Sequence, residues 1–450
     1  MRRAVTLGIA LALPLALTAQ GSALARPHHH HSGVSHKAER VAREVLGPND
    51  GWAALGTGTT GGSAADDEHV HVVENYAELR AALDGGRNND TPKIIFLKGR
   101  IDANTDAQGN RLTCDDYADP EYDLDAYLAA YDPEVWGWDE EPSGPLEEAR
   151  ERSYRNQRDQ IVFEVGSNTT LIGLGDDAAL VGAQMMVESV DNVIIRNISF
   201  ETAQDCFPQW DPTDGSAGNW NSEFDGVSVR RSTHVWIDHN EFSDGDVLDS
   251  ELPEYLGREF QVHDGLLDIT HGSDLVTVSY NVLRDHDKTM LIGSTDSPTH
   301  DVGKLRVTLH HNRWENVLQR APRVRYGQVH IYNNHYVIPA TQEGEKTYQY
   351  SWGVGVESQI HAENNYFDIA PGTDRSQVVA HWKGVQMYES GSYANGRSRR
   401  HRISFLEQYN AVHTPLIENR ATWEPELHNR IHPTQAVPAK VRKAGVGRVL

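Results

Sequence analysis

Positive charge is what this 450-residue chain lacks most: 41 Lys and Arg stand against 65 Asp and Glu, a formal net charge of −24 at pH 7. That deficit argues against nucleic-acid binding, whose affinity rests largely on Lys and Arg set against phosphate. It also makes a polyanionic partner unexpected unless some local group of residues reverses the sign. Long apolar runs are missing too. The one candidate, from Ala4 to Leu17, is too short for a comfortable membrane span. No later segment offers another, so no membrane association is expected. Cysteine is scarce, with only Cys114 and Cys206. In an oxidising compartment the two can pair, but the sequence does not show whether their Cα atoms come within bridging distance.

What is present begins with an export signal. Arg2 and Arg3 form a basic start, the apolar stretch follows, and Ala23-Leu24-Ala25 fits a small-x-small cleavage site. Residues 1–25 therefore read as a signal peptide, and the mature protein is expected to be secreted, extracellular and monomeric. The run His28 to His31 carries metal-binding side chains, yet it directly follows the cleavage site in a polar segment that reaches Ser63. Residues 26–63 are expected to be a disordered mature N-terminus, and 64–450 a single domain.

An internal repeat decides the architecture. It reads aliphatic, x, aliphatic, x, x, Asn, x, then an aromatic or Leu. Copies begin at Val235 (VWIDHNEF), Val276 (VTVSYNVL), Val307 (VTLHHNRW), Val329 (VHIYNNHY) and Ile360 (IHAENNYF). An earlier copy at Val193 has Ile198 in the Asn position. The asparagines are Asn240, Asn281, Asn312, Asn334 and Asn365, at intervals of 41, 31, 22 and 31 residues. Each copy opens with the period-two alternation of a strand, and its Asn, tolerant of left-handed backbone, marks a turn. Constant strands with variable spacers are the signature of a solenoid, whose extra residues loop out without disturbing the stack. The spacers carry no helical pattern, which excludes a doubly wound α/β sheet. The fold class is all-β: a right-handed parallel β-helix whose asparagines form a ladder. A short helical pattern over Tyr76–Leu83 is expected to cap its N-terminal end. Acidic residues 115–160 are expected to form an insertion or flap, and the chain beyond Ile369 to pack along the solenoid.

The chemistry-bearing residues come in a fixed order. HDGLLDI supplies Asp264 and Asp268, and FDGVSV supplies Asp225 about one coil earlier, with Glu223 two residues before it. Four residues of straight strand separate two carboxylates by roughly 13 Å, too far to share one calcium, whose oxygen ligands lie at roughly 2.3–2.6 Å. The chain must bend between them, and Gly265 is where it does so cheaply. The basic residues follow: Lys288 in DHDKTMLIG, then Arg320, Arg323 and Arg325 in QRAPRVR. Pro322 places that segment at an edge or bend. Spacing alone leaves solvated surface charges as an open alternative for both groups.

In this order FDGVSV, WIDH, HDGLLDI, DHDKTMLIG, RAPRVR and VHIYNNHY resemble the extracellular pectate lyases, over the stretch from about residue 70 to the C-terminus. The resemblance implies the same β-helix. It also implies calcium-dependent β-elimination of polygalacturonate to 4,5-unsaturated oligogalacturonates. It implies Asp225, Asp264 and Asp268 as calcium ligands, Glu223 as an accessory acid, Lys288 and Arg325 as binders of substrate carboxylates, and Arg320 as the catalytic base. Asp238 and His239 of WIDH match a structural motif, and Arg323 receives no role. Arginine normally stays protonated. Nearby calcium and Lys288 would disfavour its charge, so an alkaline optimum is expected. The competing expectations are a pectin lyase acting on methyl-esterified polymer without calcium, and a non-catalytic polysaccharide-binding β-helix.

Overall fold

The computed structural model describes residues 33–248, 251–297, 300–340 and 346–450. The period-two segments become parallel strands stacked coil on coil. In an 18-stranded sheet each repeat pairs with the next, Val235 with Val276, Val276 with Val307 and Val307 with Val329. A second sheet of eight strands runs from Val162–Glu164 through Val227–Arg230, Leu267–Thr270, Leu291–Ile292, Arg323–Val324 and Trp352–Gly355 to Val379–Trp382. Its pairings are all parallel. This is the right-handed parallel β-helix the repeat implies.

The ladder forms as expected. The backbone N–H of Asn240 donates to Asn281 Oδ1 (2.9 Å), Asn281 to Asn312 (2.9 Å), Asn312 to Asn334 (3.0 Å) and Asn334 to Asn365 (2.9 Å). All five asparagines are fully buried, so each bond satisfies groups that water cannot reach. Ile198 ends the ladder by donating its own N–H to Asn240 Oδ1. One detail differs from expectation. The left-handed residue is the one before each ladder Asn: His239, Tyr280, His311, Asn333 and Asn364 have φ between 50° and 56°. The ladder Asn is thereby left in ordinary backbone, its amide free to reach the neighbouring coil. The aromatic position stacks as well, Trp314 on Tyr336 at 5.8 Å and Tyr336 on Phe367 at 4.4 Å. The solenoid also runs one coil beyond the legible repeat, through Gln386–Ser390 and Tyr393–Ala394.

The expected disorder over 26–63 fails from residue 33 onward. Helix α1 (His36–Ala42), capped by Ser35, buries Ala38 and Val41 against Val70, Ile94 and Phe96. Further on, the chain lies against the outer face of the long sheet. A Cβ at Gly51 would stand 2.6 Å from Thr277 Oγ1, and the N–H groups of Trp52 and Ala53 donate to the Thr308 and Thr277 hydroxyls. Backbone hydrogen bonds hold this segment, and they leave no hydropathy signal. The export segment and His28 to His31 lie outside the described residues.

Helix α2 (Tyr76–Ala82) caps the core through Leu79, as expected. The acidic insertion is helical: α3 (Cys114–Tyr117), α4 (Leu124–Tyr131) and α5 (Pro145–Ile161). A disulfide between Cys114 and Cys206, with Cα atoms 5.4 Å apart, pins it to the solenoid. Among the described residues no helix is long and apolar enough to cross a membrane.

On the outer face of the long sheet, His330 Nε2 donates to the Glu363 carboxylate at 3.0 Å and meets the rings of His361, Tyr332, His428 and Trp423. Burial outweighs Glu363 and pulls its pKa down to about 4. The folded state thus holds His330 neutral below the unfolded value near 6.5. Stability present above about pH 6.5 is lost as pH falls towards 4, by about 3 kcal/mol for this one group. His330→Gln should therefore flatten the loss of urea stability between pH 6.5 and 4 relative to the unaltered protein. Parallel pH curves for the two proteins would contradict this.

Candidate active site in the lateral groove

Apolar side chains of the eight-stranded sheet, such as Val227, Leu267, Ile292 and Val324, point into the core. The alternate positions face outward, and register aligns them into one row: Ser228, Asp268, Leu291, Arg323 and Gly353. The site is built on this face.

Asp225 lies just before its strand, buried, accepting from Ser228 Oγ and from the Gly265 N–H at 3.0 Å. Asp268 is half-buried and accepts from the Leu291 N–H at 2.8 Å. Gly265 brings the two together. A Cβ on it would stand 2.8 Å from Asp225 Oδ1 and 2.8 Å from Asp268 Oδ1, so these oxygens are no farther apart than twice that distance. Its backbone is not left-handed, and what the site takes from glycine is the missing methyl. Asp264, half-exposed, completes the group, with its Oδ1 3.6 Å from Lys288 Nζ. His286 fixes that loop by bonding the Asp264 carbonyl at 2.7 Å and Asp244 at 2.7 Å.

Three acids so close disfavour one another's charge. Burial, then Asp268, then Asp264 push the Asp225 carboxyl well up, and burial and Asp264 push Asp268 up to about 7. The donor set consists of oxygen only, which suits a hard cation. Two oxygens on one calcium stand at most about 5 Å apart, close to the upper bound that Gly265 sets on the Asp225–Asp268 spacing. Among the described residues no three His, Cys, Asp or Glu side chains gather closely enough to hold a metal ion by themselves. Glu223 stands to one side, accepting from the Tyr154 hydroxyl of α5 at 2.7 Å.

Arg320 has left-handed backbone (φ 56°) in the turn between Arg313–Gln319 and Arg323–Val324. It shares a cleft of ≈ 570 Å³ with Lys288, Asn219, Arg258 and Lys346. Its charge acts on Asp268, and its Nε is buried with no hydrogen-bond partner. Arg325 is placed differently, since its Nε is paired with Asp296 at 2.7 Å and its guanidinium also bonds the Gly293 carbonyl. A substrate carboxylate has to share it with Asp296. A second hollow of ≈ 320 Å³, joined to the first through Asn221, contains Tyr154, Glu223 and Asp205. Burial pushes the Asp205 carboxyl up to about 7.

The order of motifs therefore located residues that the fold does bring to one face: Asp225, Asp264, Asp268, Glu223, Lys288, Arg320 and Arg325. Asp238 is elsewhere, buried between Arg196, His239 and Ser279. Sequence reasoning missed Tyr154, Asp205 and the His286–Asp244 support, none of which stands in the quoted motifs except His286 in DHDK.

A parallel β-helix presenting an acid cluster beside Lys288 and Arg320 in an open lateral groove suits a lyase of acidic polysaccharides. Comparison with known proteins narrows this. The family model described as pectate lyase matches residues 39–125 and 145–407. The chain is 47% identical to a pectate lyase of Bacillus subtilis (strain 168), over 92% of this chain and 95% of that one. It is 36% identical to pectate lyase E of Dickeya dadantii (strain 3937), over 77% and 76%. Among solved structures it resembles a thermostable pectate lyase (TM-score 0.87, 50% identity, 91% and 99% covered). It also resembles a pectate lyase bound to a hexasaccharide (0.85, 45%, 91% and 99%). The chain belongs to the pectate lyase family, and it is an enzyme with that activity.

Proposed function

We propose that this is a secreted, calcium-dependent pectate lyase that cleaves α-1,4-polygalacturonate by β-elimination to 4,5-unsaturated oligogalacturonates. The observation that carries the reading is Arg320, whose Nε is unpartnered beside Lys288 and Asp268 in a protein otherwise dominated by acids. Its location in the cleft allows Arg320, when neutral, to take the proton from C5 of a uronate. The electrons of that C–H bond then form the C4–C5 double bond, the bond from C4 to the glycosidic oxygen breaks, and that oxygen takes a proton from water. No water is added across the chain. Lys288 and Arg325 bind the uronate carboxylates and place C5 against Arg320. Asp225, Asp264 and Asp268, with Glu223 as accessory, would hold calcium. When bound it supplies positive charge that offsets both these acids and the carboxylate beside C5.

The presence of these aspartates with Lys288 favours demethylated polymer over methyl-esterified pectin. The non-catalytic reading falls with the family assignment. Export rests on Arg2, Arg3 and the Ala23-Leu24-Ala25 site, and is tested by N-terminal sequencing of protein from the culture medium. The chain is proposed to act as a monomer. Mass spectrometry of the products tests the reaction: each new non-reducing end should be lighter by one water than a hydrolysis product. Full-mass ends would mean hydrolysis.

A further inference from the structure

Arg323 is the one arginine of QRAPRVR left without a role. It projects from the same outward row as Asp268, one strand beyond Leu291. The next outward position in that row is Gly353, where a Cβ would stand 2.9 Å from the Tyr350 ring and 3.0 Å from Arg323 Cγ. Two residues on, Gly355 is equally bare: a Cβ there would stand 2.2 Å from the Val324 carbonyl. These two glycines lie between Arg323 and the last strand of the sheet, and across them Trp382 reaches back. Its ring lies 4.1 Å from the Arg323 guanidinium carbon and 5.9 Å from the Tyr350 ring.

Two features set this stack apart from ordinary packing. Trp382 keeps 38% of its surface exposed, one of the few large apolar side chains that do so. Arg323 forms no ion pair among the described residues, and its Nε is buried without a partner. Burial and the charge of Arg325 pull its pKa down to about 10. The neighbouring cations Arg325 and Lys383 share a single acid, Asp296, at 2.7 and 2.6 Å. In a chain with so large an excess of acid, a cluster of three cations around one carboxylate is a local reversal of sign.

We propose that Trp382 and Arg323 form a distal subsite for an anionic sugar ring of the polymer, the indole face turned away from Arg323 carrying the ring and the outer guanidinium nitrogens its carboxylate. The strand of Trp382 lies two strands, about 10 Å, beyond that of Arg323, and its side chain returns across this distance, so the subsite adjoins the coil of Arg320. It rests on the lyase reading, since it extends the same groove. An aromatic face suits the apolar side of a sugar ring, and the guanidinium fork suits a carboxylate.

The test is calorimetric titration of hexagalacturonate, with calcium present, into full-length Arg320→Ala protein, which binds without turnover. Adding Trp382→Ala or Arg323→Gln should weaken binding about tenfold, while Trp382→Phe should cost less than about threefold. In the otherwise unaltered enzyme, Trp382→Ala should raise KM on polymer with little change in kcat. Affinity within twofold of the parent for both Trp382→Ala and Arg323→Gln would overturn the proposal, as would a loss that Trp382→Phe shares in full. Should Trp382→Ala fail to fold, Arg323→Gln and Trp382→Phe give the same comparison. If the single variant Arg320→Ala still cleaves the polymer, the assignment of the base fails, whereas the affinities still report on the subsite.

Discussion

Arg320→Ala lowers kcat on polygalacturonate by about 10³-fold, within the range contributed by a positioned general base, and leaves the thermal midpoint nearly unchanged. The second half follows from the structure. Arg320 forms no ion pair among the described residues and its Nε has no partner, so truncation removes no salt bridge there. Arg320→Lys should fare little better, because a lysine amine, even when neutral, presents its proton-accepting nitrogen from a different position and lacks the planar fork. For the unaltered enzyme, rate at saturating calcium should climb through alkaline pH, since only the neutral guanidine accepts a proton. An optimum on the acid side with calcium in excess would count against Arg320 as base, and so would an Arg320→Ala variant that keeps most of its activity. Pairing the rate measurement with a melting curve separates a lost base from a lost fold.

Gly265→Ala should be nearly as damaging, by a different route. Its methyl would stand 2.8 Å from a carboxylate oxygen of Asp225 and the same from one of Asp268, closer than carbon and oxygen tolerate. One or both acids must turn away, and the pair ceases to converge. Calcium affinity is expected to fall by about 10–100-fold, comparable with losses seen when a metal's supporting shell is disturbed. Stability should drop by about 1–3 kcal/mol from overpacking. Raising calcium should recover part of the activity, which distinguishes a weakened metal site from a damaged base. Gly47→Ala, whose added Cβ would meet only Asp50 Cβ at 3.7 Å, is the neutral comparison. Unchanged calcium dependence in Gly265→Ala would mean that these acids are not the metal site.

Much of this was legible because a parallel coil stacks like upon like. Asn240, Asn281, Asn312, Asn334 and Asn365 sit above one another, so a one-dimensional pattern carries a three-dimensional fact. The same stacking brings Asp225 beside Gly265 and puts Asp268 in one row with Arg323, although long stretches of chain separate them. The sequence misled where contacts are not periodic. Residues 33–63 look polar and loose, yet they dock through backbone N–H groups on Thr277 and Thr308. Helix α5 has few apolar residues and is held by the buried Arg150, which donates to the Phe207 carbonyl at 2.7 Å, and by Glu147, which accepts from the Tyr127 hydroxyl at 2.8 Å, with the Cys114–Cys206 bridge anchoring the same insertion. Tyr154 and Trp382 reach the groove from the insertion and the last strand of the site sheet, outside every quoted motif. The turn residue was misplaced by one because Asn serves equally well in left-handed backbone and in a ladder. Here the ladder takes it.

The most direct measurement is ultraviolet absorbance on mixing the purified mature protein with polygalacturonate, first with calcium and then with excess chelator. The conjugated double bond of an unsaturated uronate absorbs where the intact polymer does not. A rise that requires calcium and is weaker on methyl-esterified pectin is the expected result. A rise that survives chelation and is stronger on esterified polymer would contradict the calcium-dependent reading, and new reducing ends without absorbance would contradict elimination itself.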